Sequence, residues 1–267
     1  MNKINKSFIM IVMPFLFMSS HAFSYTNSSY RYFNDPRFDL EKFLNMPGDN
    51  IPVEKLVAIN AKEKDATVKI SIYHTKTERL DSIAAGTFIS STGHILTSYH
   101  VIMDSLNDKY HPHFTLSDGT IIKDYEDIEC NKVGGDICLL KIKTNPKYYF
   151  NPNEILLDTP AKGEKLYMIG FPDGIGWDVR AGISLGVVVP LRKTFSKRLK
   201  ITVPVRPGFS GGPVFDSSSR LVCLASNRYY KEEIVNGKVL PSKDSLEHFC
   251  VNSEIIRPIL LRAGLLK

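Results

Sequence analysis

Arg206-Pro207-Gly208-Phe209-Ser210-Gly211-Gly212-Pro213 is the stretch on which the reading of this chain turns. A serine hydroxyl is a poor nucleophile until a neighbouring base takes its proton. Gly208 has no Cβ, so its backbone can take dihedrals closed to other residues and turn its N–H toward an incoming oxygen. The N–H groups of Gly208 and Ser210 are thereby candidates for an oxyanion hole. Gly211 and Gly212 leave room for a peptide backbone to approach. Alone, the segment reads equally well as a glycine-proline turn.

Two other stretches bear on it. Gly86–Ile102 reads as a hairpin, with a strand at 86–90, a turn at 91–93 and a strand at 94–97 that ends near His100. An imidazole just past a strand end can be held rigidly, and it suits a general base. In Gly134-Gly135-Asp136-Ile137-Cys138-Leu139-Leu140-Lys141-Ile142, Asp136 stands at the mouth of an apolar strand. A carboxylate there can accept an imidazole N–H and fix its tautomer. Singly, each residue reads as structural: a half-buried histidine, a turn aspartate. Together, the chain order His100…Asp136…Ser210, with the serine among glycines, is the order of a His-Asp-Ser triad.

On these residues the chain resembles the trypsin-like serine peptidases of the chymotrypsin fold, and within them the bacterial HtrA/Deg branch. The stretches Gly86–Ile102, Asp136–Ile142, Gly163–Val188 and Val205–Ser226 carry the likeness, with Phe249–Arg257 resembling the lead into the closing helix. The resemblance covers residues 53–265, and no PDZ module is expected after it. It implies an all-β fold of two six-stranded antiparallel β-barrels, about 66–143 and 161–250, with a short N-terminal helix over 52–63 and a C-terminal helix over 253–265. It implies catalysis by His100, Asp136 and Ser210, an oxyanion hole at Gly208 and Ser210, and no cofactor. It places the floor of the primary pocket at Val203, Pro204 and Val205, whose apolar character favours small or medium apolar P1 side chains. A substrate peptide is expected to pair as a strand beside Ser226, Asn227 and Arg228.

The sequence also departs from that pattern. Phe209 stands where digestive members carry the aspartate that pairs with a newly cut N-terminus, so activation by such an insertion is not expected. Tyr99 is bulkier than the small residue usual before the histidine. Both are candidates to obstruct the cleft, which keeps a second reading open: a catalytically idle or latent binding protein on a protease scaffold.

The remaining sequence sets the context. Lys3 and Lys6, the apolar stretch Phe8–Met18 and Ser20-His21-Ala22 read as a signal peptide over 1–22, with an uncleaved anchor as the rival. The expected address is exported, periplasmic or secreted. Residues 23–51 read as a leader or pro-segment and 52–267 as one protease domain. The net charge of +6 across 267 residues is mildly basic and does not argue for nucleic acid. Arg192, Lys193, Lys197, Arg198 and Lys200 form a basic run that reads as a solvated hairpin tip, or as a contact with anionic surfaces. His111 and His113 read as loop residues rather than metal ligands, and no metal is expected. Export permits disulfides among Cys130, Cys138, Cys223 and Cys250, but spacing does not choose the pairs, and Cys138 and Cys223 read equally as buried thiols.

Overall fold

In Thr67–His74, Val68, Ile70 and Ile72 alternate with residues on the other face and are 0–2% exposed. That period of two is the signature of a strand with one face on a core. The same logic builds the first sheet from β1 (Thr67–His74), β2 (Leu80–Phe88), β3 (His94–Thr97), β4 (Tyr110–Thr115), β5 (Ile121–Ile122), β6 (Tyr125–Asn131) and β7 (Ile137–Ile142). The computed structural model describes residues 61–103, 105, 108–131, 135–155, 159–174, 176–188, 197–235 and 238–266, with backbone alone for 127, 131, 173, 227–235 and 238–246. All lie in the unit Gly48–Lys267. The expected signal peptide and leader, and most of the helix expected over 52–63, lie outside the described residues; 61–65 are helical.

The first sheet runs β5-β4-β1-β2-β3-β7-β6, every pair antiparallel. It has seven strands rather than six, because two-residue β5 adds to β4, and among the described residues no ladder joins β5 to β6. Phe88, Ile95, Ile102, Phe114 and Leu140 belong to one buried cluster that forms its core. The second sheet closes as the expected six-stranded barrel, β10-β13-β12-β11-β8-β9. Its members are β8 (Lys165–Gly170), β9 (Asp178–Val188), β10 (Arg198–Ile201), β11 (Pro213–Asp216), β12 (Leu221–Val235) and β13 (Lys238–Asn252). A further core, including Ile89, Leu96, Leu139, Ile169, Phe215 and Leu224, joins the two sheets and receives Ile256, Ile259 and Leu260 of the closing helix.

That helix, Ser253–Arg262, contains Pro258 and has Asn252 at its N-cap position without a side-chain capping bond. It stops short of the expected 265 because Gly264 takes φ +68, letting Leu265 N–H reach the Leu260 carbonyl and Gly264 N–H the Leu261 carbonyl. Among the described residues no helix is long and apolar enough to cross a membrane.

Several sequence expectations need correction. All four cysteines are paired, Cys130–Cys138 and Cys223–Cys250, so Cys138 and Cys223 are not free thiols. His111 and His113 lie in strand β4 rather than a loop, with ring centroids 4.9 Å apart, and among the described residues no group of three metal donors forms. In the basic run, Arg192 and Lys193 lie outside the described residues. Arg198 is 1% exposed within β10 and Lys200 pairs with Glu247, so strand pairing draws these two out of the expected solvated tip. Lys197 remains exposed, 3.9 Å from Glu254.

Glu63 is buried, and among the described residues its Oε2 has no hydrogen-bond partner. Burial pushes its carboxyl pKa up, against a hydrogen bond from Ser219. A folded-state value above the unfolded one means stability is fully present below the unfolded value and lost as pH rises through the folded one. Glu63→Gln should therefore raise the melting midpoint at about pH 8 more than at about pH 4. Scanning calorimetry at the two pH values checks this, and an equal difference at both would contradict it.

Candidate active site

The chain leaves β3 at Thr97 and turns through a one-turn helix, α1 (Tyr99–Ile102). Val101 and Ile102 are buried and Tyr99 packs partly against the first core, so the intervening His100 faces outward with its side chain 39% exposed. Tyr99 is not on the wall of the cleft.

Asp136 sits one residue before β7 with φ +48, the left-handed region that aspartate tolerates better than most residues. Its Oδ1 accepts the His100 backbone N–H at 3.0 Å, and His100 Nδ1 lies 3.0 Å from both Oδ1 and Oδ2. Ser226 Oγ donates to Oδ2 at 2.5 Å. Burial alone pushes the Asp136 pKa up, but the hydrogen bond from His100, its charge and the Ser226 hydroxyl outweigh it, and the carboxyl is held below its ordinary value. Asp136 is therefore an anion at neutral pH. An acceptor-only partner places the imidazole proton on Nδ1 and leaves Nε2 with its lone pair.

Ser210 follows a tight turn. Phe209 N–H donates to the Arg206 carbonyl at 3.1 Å, with Pro207 and Gly208 (φ +96) at the two central positions. This is the residue pattern a type II turn demands. Phe171 N–H donates to the Gly208 carbonyl at 3.0 Å, and Ala85 N–H to the Ser210 carbonyl at 2.9 Å. Among the described residues, the N–H groups of Gly208 and Ser210 have no protein acceptor. Phe209 is fully buried in the second barrel, against Gly170, and does not enter the cleft.

His100, Gly208, Ser210 and Ser226 line one recess of about 360 Å³, together with Ser82, Ile83, Ala84, Val101, Val205, Arg206 and Pro207. The Ser210 hydroxyl donates to the Ser226 carbonyl at 3.3 Å, and no hydrogen bond joins it to His100. Of the expected pocket floor, Val205 is on the wall, whereas Val203 is buried in the barrel core and neither it nor Pro204 lines the recess. Val205 N–H donates to His248 Nδ1 at 3.2 Å. Asn227 and Arg228 continue β12, paired with Phe249 and His248. The Ser82–Ala84 wall carried no signal in the sequence.

The trypsin-like peptidase domain family matches residues 84–224, just over half of the 267-residue chain. The chain belongs to the trypsin-like peptidase family. Among curated proteins, this trypsin-like peptidase is 28% identical over 200 residues to a probable periplasmic serine endoprotease DegP-like of Bartonella henselae, a match covering 72% of this chain and 35% of that protein. A protein of the same description from Pseudomonas putida is 30% identical over 155 residues, covering 54% and 29%. Protease Do-like 1, chloroplastic, of Arabidopsis thaliana is 28% identical over 147 residues, covering 51% and 31%. The chain thus spans about a third of the length of these relatives. Among solved structures, an HtrA-type protease, AlgW, with a tripeptide superposes with a TM-score of 0.60 at 18% identity, covering 78% of this chain and 63% of that one. Deg5 superposes at 0.57 and 20% identity, covering 79% and 96%. These likenesses show the fold.

Proposed function

We propose that this trypsin-like peptidase is an exported serine endopeptidase using His100, Asp136 and Ser210. The observation that carries this is the Asp136–His100 pair opening onto the same recess as Ser210, next to two backbone N–H groups without acceptors among the described residues. His100 Nε2 takes the Ser210 Oγ proton as Oγ attacks the peptide carbonyl carbon. The Gly208 and Ser210 N–H groups bind the carbonyl oxygen as it becomes an anion. The C–N bond then breaks, His100 returns the proton to the leaving amine, and water releases the acyl group by the same steps in reverse. Asp136 keeps the imidazole in the productive tautomer and stabilises its cation. Substrates are polypeptides lying as a strand beside Ser226–Arg228. Ile83, Ala84, Val205 and Pro207 give the recess hydrocarbon walls, which favour small or medium apolar side chains. Export is supported by the basic, apolar, small-residue order of the first 22 residues and by relatives named periplasmic.

One observation favours an idle scaffold instead: the Ser210 hydroxyl is bonded to the Ser226 carbonyl and not to His100. A fluorophosphonate decides between the two. The enzyme forms an Oγ–P bond at Ser210 with loss of fluoride, read by intact mass and peptide mapping, and Ser210→Ala stays unlabelled. A folded protein that does not react supports the scaffold.

A further inference from the structure

We propose that the Cys130–Cys138 disulfide is a positioning element for Asp136. It holds the end of the β6–β7 hairpin so that one carboxylate reaches both His100 and Ser226. The proposal rests on the triad reading above.

The two cysteines face each other as a cross-strand pair, one rung behind the Asn131–Ile137 rung from which the chain turns to Asp136. Strand β6 is at the edge of the seven-stranded sheet, and among the described residues it pairs with β7 alone. Its ladder is interrupted by a register shift between Asp127 and Glu129. An edge strand with a bulge is where a sheet frays most readily. At the end of that hairpin, Asp136 has to keep a left-handed backbone, which persists only when its surroundings enforce it. Its carboxylate has to meet groups from both sheets at once, His100 of the first and Ser226 of the second. Besides the ladder, β6 is tied to the closing helix by Arg262 with Glu129, but Arg262 is exposed, and surface pairs hold geometry weakly. On the other side of β7, Cys138 is laddered to Thr97 of β3, so the bridge is the covalent tie on the β6 side of the hairpin end that leads to Asp136.

The test reads inactivation by an alkyl fluorophosphonate, separating the maximal rate kinact from the half-saturating concentration KI. Replacing both Cys130 and Cys138 by alanine should lower kinact at least tenfold and leave KI within about twofold, with a cooperative melt retained, since misplacing a catalytic group by about an ångström costs up to 100-fold. Adding the same alanine pair to the Asp136→Asn variant should change kinact less than twofold, because the bridge acts through that carboxylate. A merely structural bridge gives an additive loss on top of Asp136→Asn, and that outcome overturns the proposal. So does an unchanged kinact in the folded alanine pair.

If the alanine pair does not fold, the wild-type protein is treated with a dithiol. Thiolate attack opens the bridge, leaving two cysteine thiols and the cyclic disulfide of the reagent. Half-buried Cys130 is reached before fully buried Cys223 and Cys250. A reversible fall in kinact on reduction supports the proposal, and no fall with Cys130 and Cys138 shown reduced overturns it. Asp136→Asn reacting as fast as wild type is a distinct result: it defeats the triad reading itself and the proposal with it.

Discussion

Replacing His100 by alanine is expected to lower turnover by about four to six orders of magnitude while leaving the fold intact. The size follows from the chemistry. Without an imidazole, the Ser210 hydroxyl keeps its proton at neutral pH, and the leaving amine has no acid to protonate it. The survival of the fold follows from the packing. His100 is the outward residue of α1, while Val101 and Ile102 bury the other side of that turn. Asp136 would retain the backbone N–H of position 100 and the Ser226 hydroxyl as donors, so its charge is not left without partners. Ser210→Ala should produce a loss of the same order, and the double variant should be no worse than either single one, since the two groups act as a unit. Initial rates on an unstructured protein substrate, with circular dichroism as the check on folding, measure this. A His100→Ala rate within tenfold of wild type would remove the acyl-transfer mechanism.

The candidate site is legible in the sequence as a set and not residue by residue. Singly, Ser210 fits a glycine-proline turn, Asp136 a turn and His100 a structural histidine; their chain order, with the serine between Gly208 and Gly211, is what marks them. Features created by pairing between distant segments are not legible. Ser226 reads as a strand residue for substrate, and its bond to Asp136 joins positions 90 residues apart. Ile83 and Ala84 reach the recess because Ala85 pairs with the Ser210 carbonyl, a contact with no local trace. Strand β6 escapes notice because Glu126, Asp127 and Glu129 make it look like a loop, whereas charges are what an edge strand carries to discourage further pairing. The disulfide partners are unreadable for the same reason, since register and not spacing sets Cys130 against Cys138. Arg198 shows the converse error: charge suggests solvent, while β10 places it between β9 and β13.

Gly208→Ala is expected to reduce kcat/KM by about 100- to 1,000-fold, the scale of losing an oxyanion donor. Two separate obstacles arise. The first is the backbone, because φ +96 is a conformation that residues with a Cβ rarely adopt. The second is space: a Cβ built there would lie 2.1 Å from the Phe171 carbonyl oxygen. That oxygen cannot swing aside like a side-chain tip, because Phe171 N–H is itself bonded to the Gly208 carbonyl. Relief has to come from rotating the Pro207–Gly208 peptide, which is the unit carrying the N–H proposed to meet the developing anion. Gly119 provides the matched control. It has φ +88 but nothing within 4 Å of a built Cβ, so Gly119→Ala carries the backbone strain without the collision. Gly119→Ala should lower the melting midpoint slightly and leave kcat/KM unchanged, while Gly208→Ala loses activity well beyond its loss of stability. A folded Gly208→Ala protein with kcat/KM within threefold of wild type would show that the turn at Arg206–Phe209 does not shape the transition state.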